Sequence, residues 1–225
     1  MNRYLIIMGL LLGCVDLHAQ DTTAQEKGLS VRLLAFAPLK GADSVVIQSG
    51  KVLSDEMVVP THGLGLPIPV NSRELTLGLL PKEDGQPIRV LAKIKLPPQG
   101  KKFLLLLIPD DKGYECRPVR LDTENFRGGD TLCYNAGSVS IGGTLGKTKF
   151  AVMPRKFRIM SSPKANDKPY YQVKFYYNNK GESRIFSDTR WPYDNRLRSY
   201  IFFYSNPKTS KVTYRAVDET VPENK

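Results

Sequence analysis

From residue 29 onward the chain alternates apolar and polar positions in short runs. LSVRLLAFAP places Leu29, Val31, Leu33 and Ala35 on one side of a strand that Pro38 ends. SVVIQSG and KVLSDEMVV bracket Gly50 as a short hairpin, and the Gly- and Pro-rich PTHGLGLPIPVNS reads as an irregular crossing loop. RELTLGLL is a strand and KEDG a turn. In PIRVLAKIKLP, Val90, Ala92, Ile94 and Leu96 face one way and Arg89, Lys93 and Lys95 the other, marking a half-buried strand. FLLLLIP, from Phe103 to Pro109, is apolar without a break and reads as a central strand covered on both faces. It is far too short to span a membrane.

Beyond it, YECRPVRL and TLCYNA read as successive strands of a hairpin around a Gly-Gly-Asp turn. SVSIGGTLGKTKFAVMPRKFRIM gives three more short strands. Its GGTLGKT imitates a phosphate-binding loop, but the first glycine of that motif would fall on Ile141 and no helix follows, so it is a turn between strands. SSPKANDKP is an exposed loop. Tyr170 to Val217 then supplies three or four strands, read as the main sheet. Within it Tyr171, Val173, Phe175 and Tyr177 form a core row, opposite Tyr170, Lys174 and Tyr176.

There is no helical period of useful length, and no repeat of fixed period is apparent. Strand-sized runs at this spacing predict an all-β protein, an antiparallel β-sandwich or two small packed β subdomains, over 29–217. The candidate sublayers are 29–109 and 110–217, with a flexible leader at 20–28 and a polar tail at 218–225.

Composition adds a compartment and a charge. Residues 1–19 carry one early cation, Arg3, and an apolar core from Tyr4 to Leu12, and are read as a secretory signal peptide cleaved after Ala19. The alternative is a lipobox, Leu11-Leu12-Gly13-Cys14, with Cys14 as a lipidated terminus and a membrane attachment. Export places Cys116 and Cys133 in an oxidising space, where either a disulfide between them or two buried free thiols is open. No CxxC is present to suggest redox or zinc chemistry. The formal charge is +11, and residues 147–225 hold 17 Lys and Arg against 7 Asp and Glu, so +10 of it belongs to the last third. That charge is either a solvated surface or a face for anionic partners, acidic polysaccharide above all, since export makes nucleic acid an unexpected partner.

Candidate chemistry is sparse. After signal cleavage only His62 remains, in a loop, which excludes a multi-histidine metal site and weakens any Ser-His-Asp scheme. Asp110-Asp111 reads as a turn cap, and no metal or cofactor is expected. Asp188 and Asp194, or Asp218 and Glu219, offer carboxylates for glycoside hydrolysis, although Arg190, Arg196 and Arg215 nearby suggest ion pairing instead. The main binding constellation is TRWPYDNRLR, where Trp191 and Tyr193 sit beside Arg190, Arg196 and Arg198, with Lys174 on the preceding strand. Aromatic planes stack on sugars and guanidinium forks grip acidic groups, so these residues are a candidate acidic-glycan contact. The competing reading makes Trp191 a plug at the end of the core.

FLLLLIP, TRWPYDN and SYIFFYSNPKTSKVTYRAVDE resemble stretches in uncharacterised secreted β-rich proteins of verrucomicrobial bacteria, across 103–219. The resemblance implies export and β structure and brings no functional residues. The expectation is therefore a non-enzymatic exported protein of the envelope or periplasm that binds or scaffolds, with anionic glycan as the candidate ligand; the alternatives are a carboxylate-dependent glycosidase and an assembly subunit of undetermined oligomeric state.

Overall fold

The computed structural model describes residues 28–41, 44–81, 86–110, 113–123, 126–161, 163, 169–179, 181–206 and 209–221. The residues read as a signal peptide, with Cys14, most of the expected leader, the KEDG segment, Asp111, most of the SSPKANDKP segment and the end of the tail lie outside them. Within the described residues the protein is all-β, with sixteen strands in four four-stranded sheets and no helix.

The first eight strands are β1 (Ser30–Ala35), β2 (Val46–Ser49), β3 (Val52–Leu53), β4 (Ile68–Pro69), β5 (Glu74–Leu79), β6 (Arg89–Lys95), β7 (Lys102–Asp110) and β8 (Gly113–Arg120). They form two sheets, β4-β1-β7-β8 and β3-β2-β5-β6. The second eight are β9 (Thr131–Asn135), β10 (Ile141–Leu145), β11 (Thr148–Val152), β12 (Phe157–Met160), β13 (Tyr170–Asn179), β14 (Glu182–Pro192), β15 (Leu197–Ser205) and β16 (Val212–Thr220). Their sheets are β12-β9-β15-β16 and β11-β10-β13-β14.

Strand for strand, the second set repeats the topology of the first. In each unit the first strand runs parallel to the seventh while every other pairing is antiparallel. The match extends to single hydrogen bonds: the Phe36 amide donates to the Leu107 carbonyl at 2.8 Å, and the Ala136 amide to the Phe203 carbonyl at 2.9 Å. The chain is thus two copies of one eight-stranded sandwich. The sequence shows no repeat of fixed period because what recurs is pairing order and face parity rather than residue identity.

The four sheets stack through three apolar layers. One outer layer joins β1 and β7 to β2, β5 and β6 through Val31, Leu33, Leu105, Leu107, Ile47 and Leu77. The other joins β9 and β15 to β10, β11 and β13 through Cys133, Ile201, Phe203, Ile141 and Phe175. Between them lies a middle layer in which Leu34, Leu104 and Leu106 meet Tyr134, Tyr200 and Phe202. β7 therefore sends Phe103, Leu105 and Leu107 into one layer and Leu104, Leu106 and Ile108 into the next. That double burial is why FLLLLIP has no polar position, as its sequence implied.

Three organisational expectations are revised. A seam at Pro109 would cut the β7–β8 hairpin, whose register runs from Phe103 with Arg120 to Asp110 with Gly113, so the topological boundary lies between β8 and β9. Tyr170 to Val217 is not one sheet: β13 and β14 lie in one, β15 and β16 in the sheet facing it. A register shift between Leu77 and Gly78 also changes the predicted row on β6. Ala92, Ile94 and Leu96 are buried, but Val90 is 49% exposed and Leu91 packs toward the core instead.

The cysteines follow the same geometry. β8 and β9 belong to different sheets, so the expected hairpin between them does not form. Cys116 packs against one outer layer and Cys133 lies inside the other, with the middle layer between; both are free thiols, which leaves the disulfide reading without support. Burial pushes the Cys116 thiol up to about 12 and raises Cys133 further, so both stay protonated and unreactive.

Candidate ligand-binding cleft

The predicted constellation TRWPYDNRLR is taken apart by strand parity. β14 continues through Pro192, so Arg190 and Trp191 point to opposite faces. Arg190 stands on the outer face opposite Gln172, beside Lys174, whose ammonium pairs with Asp188 at 3.0 Å. Trp191 turns inward, packing edge-on against Phe175 at 5.9 Å between centroids. It is a partly buried flank of the outer core. Tyr193 follows the strand, its amide held by the Pro169 carbonyl at 2.8 Å. Arg196 folds back on Asp194 through Nε and Nη2 at 3.0 and 2.8 Å. Arg198 faces the first unit, over the Phe126 ring at 5.0 Å and paired with Glu219. The six residues do not form one surface.

Asp188 and Asp194 are likewise committed. Hydrogen bonding from Lys174 holds Asp188 below its usual range, and Arg196 holds Asp194 at about 2. A general acid needs the opposite shift. Asp218 bonds Ser199 Oγ at 2.6 Å, while the neighbouring Glu219 turns to the other side of β16. No group of three or more His, Cys, Asp or Glu suited to a metal occurs among the described residues.

A large concavity lies elsewhere, where the two units meet. A cleft of about 1010 Å³ opens at the ends of both parallel strand pairs. Its walls come from matching places in the two units: Phe36 to Pro38 against Ala136 to Ser138, Ile108 and Pro109 against Tyr204 and Ser205, and Thr61 and His62 against Pro154 and Arg155. The first pair follows β1 and β9, the second ends β7 and β15, and the third lies before β4 and β12. The cleft therefore straddles the pseudo-symmetric junction, the place where duplicated folds leave a concave seam.

Its chemistry is cationic on an apolar floor. Lys40, Arg155 and Arg215 line it with His62, and no carboxylate does so among the described residues. Arg215 is fixed by β16, where it pairs in register with Phe202, and its guanidinium lies 5.5 Å from the centroids of both Phe36 and Phe202. Nη2 donates to the Ala35 carbonyl of the other unit at 3.1 Å, while the buried Nε has no hydrogen-bond partner among the described residues. Burial draws this guanidinium down from its ordinary value, a sign that its charge is incompletely compensated. Arg155 sits in the left-handed region with φ 59°, unusual for a non-glycine, and its amide is anchored to the Asn135 carbonyl at 2.7 Å. Phe36 meets Tyr204 edge-on at 5.0 Å, completing an aromatic wall.

Of these residues the sequence marks His62 as an ordinary loop histidine and Arg215 as an ion-pairing neighbour. The rest come from six separated segments without a shared motif, and only the fold brings them together. Compared with known proteins, the chain matches no family model, and no curated protein matches it at a significant level.

Proposed function

We propose that the protein is an exported, non-enzymatic binding protein of the envelope or periplasm, and that the cleft between its two sandwich units takes an anionic ligand. The observation that carries this reading is the one-sided charge of the cleft: Lys40, Arg155 and Arg215 converge from both units and no acidic side chain among the described residues lines it. Phe36 and Tyr204 supply apolar faces beside those cations, a pairing suited to acidic saccharide, whose rings stack while its carboxylate or sulfate groups meet guanidinium. The cleft size falls at the upper end of the range for small-molecule sites, about 300–1,000 Å³, and suits a short oligosaccharide better than a single sugar.

Affinity chromatography on an acidic polysaccharide tests the reading. Retention is expected, weakening as salt rises. It is expected to fall several-fold in Lys40→Ala combined with Arg155→Asn, the asparagine chosen because it tolerates the left-handed backbone. Equal retention of the double variant, or equal retention on neutral dextran, would overturn it.

A further inference from the structure

A second cavity carries the opposite sign. About 250 Å³ in volume, it lies where the end of β14 approaches β15 and β16, and Tyr171, Trp191, Tyr193 and Tyr214 line it with Asp194 and Asp218. Among the described residues no Lys or Arg lines it, in a chain whose net charge is +11 and whose last third holds nearly all of that excess. Aromatic faces carry negative charge density, so four rings and two carboxylates create a pocket selective for cations.

The aromatic wall is held from behind. Trp191 rests on Phe175 and stands 6.2 Å from Tyr214 at 43°, so two rings enclose an angle rather than stacking shut. The two carboxylates differ. Asp194 is bound by Arg196 through side chain and backbone, which consumes most of its charge. Asp218 receives one hydrogen bond, from Ser199 Oγ at 2.6 Å, and forms no ion pair among the described residues. Burial, aided by the Asp218 charge, pushes the Tyr171 hydroxyl up to about 12, so Tyr171 stays neutral and the negative field reaches inward.

We propose that this cavity binds a compact organic ammonium group, an amine or a quaternary ammonium, between Trp191 and Tyr214 with Asp218 as its counter-charge. Phosphate and carboxylate ligands are repelled by the same field. A hard metal ion gains little from the rings and finds only one uncommitted carboxylate. This site is independent of the anion cleft, sharing no lining residue with it.

Because Trp191 is the only tryptophan in the chain, its emission reports on this cavity alone. The full-length protein is titrated with tetramethylammonium chloride and with ethylammonium chloride, against sodium chloride and neutral tert-butanol at equal concentrations. A saturable emission change with either ammonium and none with tert-butanol is expected. Line broadening of the tetramethylammonium methyl signal in proton NMR reads the same event without relying on fluorescence. Asp218→Asn, at an exposed position, is expected to keep the melting temperature and weaken binding about fivefold to tenfold. Saturation by neither ammonium in either measurement would overturn the proposal. So would an equal response to tert-butanol, or unchanged affinity in a folded Asp218→Asn variant.

Discussion

Arg32 of β1 and Glu219 of β16 form a salt bridge across the junction between the two sandwich units. The same carboxylate accepts from Arg198 Nε and Nη2 at 3.1 and 2.8 Å and from the Tyr200 hydroxyl at 2.7 Å. Arg32 and Arg198 also donate to main-chain carbonyls, Gly65 at 2.6 Å and Leu121 at 2.9 Å, both in the first unit. With side chains 10% and 11% exposed for Glu219 and Arg198, the cluster is a mostly buried clasp with two cations on one anion.

Removing the anion should therefore cost more than removing a surface ion pair. Glu219→Gln leaves two guanidinium groups in a confined space, and a loss of about 3 kcal/mol is expected, the low end for breaking a buried pair. Chemical denaturation followed by circular dichroism measures it. A change below about 1 kcal/mol would show that water screens the clasp.

Arg215 separates packing from recognition. Its aliphatic stem and guanidinium fill space between Phe36 and Phe202, so Arg215→Met keeps the volume while removing charge. Stability is expected to hold within about 1 kcal/mol or to rise, because a poorly paired buried charge is no asset. Retention on acidic polysaccharide should nonetheless drop several-fold. Thermal melting and chromatography on the same variant distinguish the two effects.

The paired glycines of GGTLGKT are a packing requirement. A Cβ on Gly142 would stand 2.3 Å from the Tyr176 ring, and one on Gly143 would stand 2.5 Å from Phe150 and 2.8 Å from the Lys174 carbonyl. Gly143→Ala should destabilise by about 1–3 kcal/mol through overpacking, with no change in nucleotide affinity because none is expected. Thermal denaturation reads the first effect and a nucleotide titration the second.

The buried thiols give the protein an alkaline limit. In the unfolded chain they titrate near their ordinary value, while burial raises both in the folded state. The native state then holds more protons than the unfolded one, so stability is fully present below pH about 9 and declines as pH rises. Cys133→Ala should flatten that decline by up to about 1.4 kcal/mol per pH unit between roughly pH 9 and 11, measured by denaturant unfolding. In the native protein neither thiol should react readily with a thiol probe, and both should react after denaturation.

What the sequence disclosed was whatever strand parity alone decides. The unbroken Phe103–Ile108 run announced a doubly covered strand, and Val173 and Phe175 announced a core row, because burial on known faces leaves a period-two record. Parity does not say where a strand ends: because β14 runs on through Pro192, Trp191 and Arg190 face apart although they adjoin in sequence. The parallel pairing of β1 with β7, the repeat and the cleft were not legible, since each depends on contacts between segments about 70 or more residues apart. Lys40, Arg155 and Tyr204 share no local motif that would betray a common wall.

The middle layer has a further consequence for how the molecule comes into being. Leu34, Leu104 and Leu106 on one side and Tyr134, Tyr200 and Phe202 on the other are each buried only because the opposite sheet is present. A ribosome that has finished the first sandwich has made an object with one greasy flank still bare. The polypeptide is thus most vulnerable to aggregation halfway through its own synthesis, and becomes safe when its second half docks.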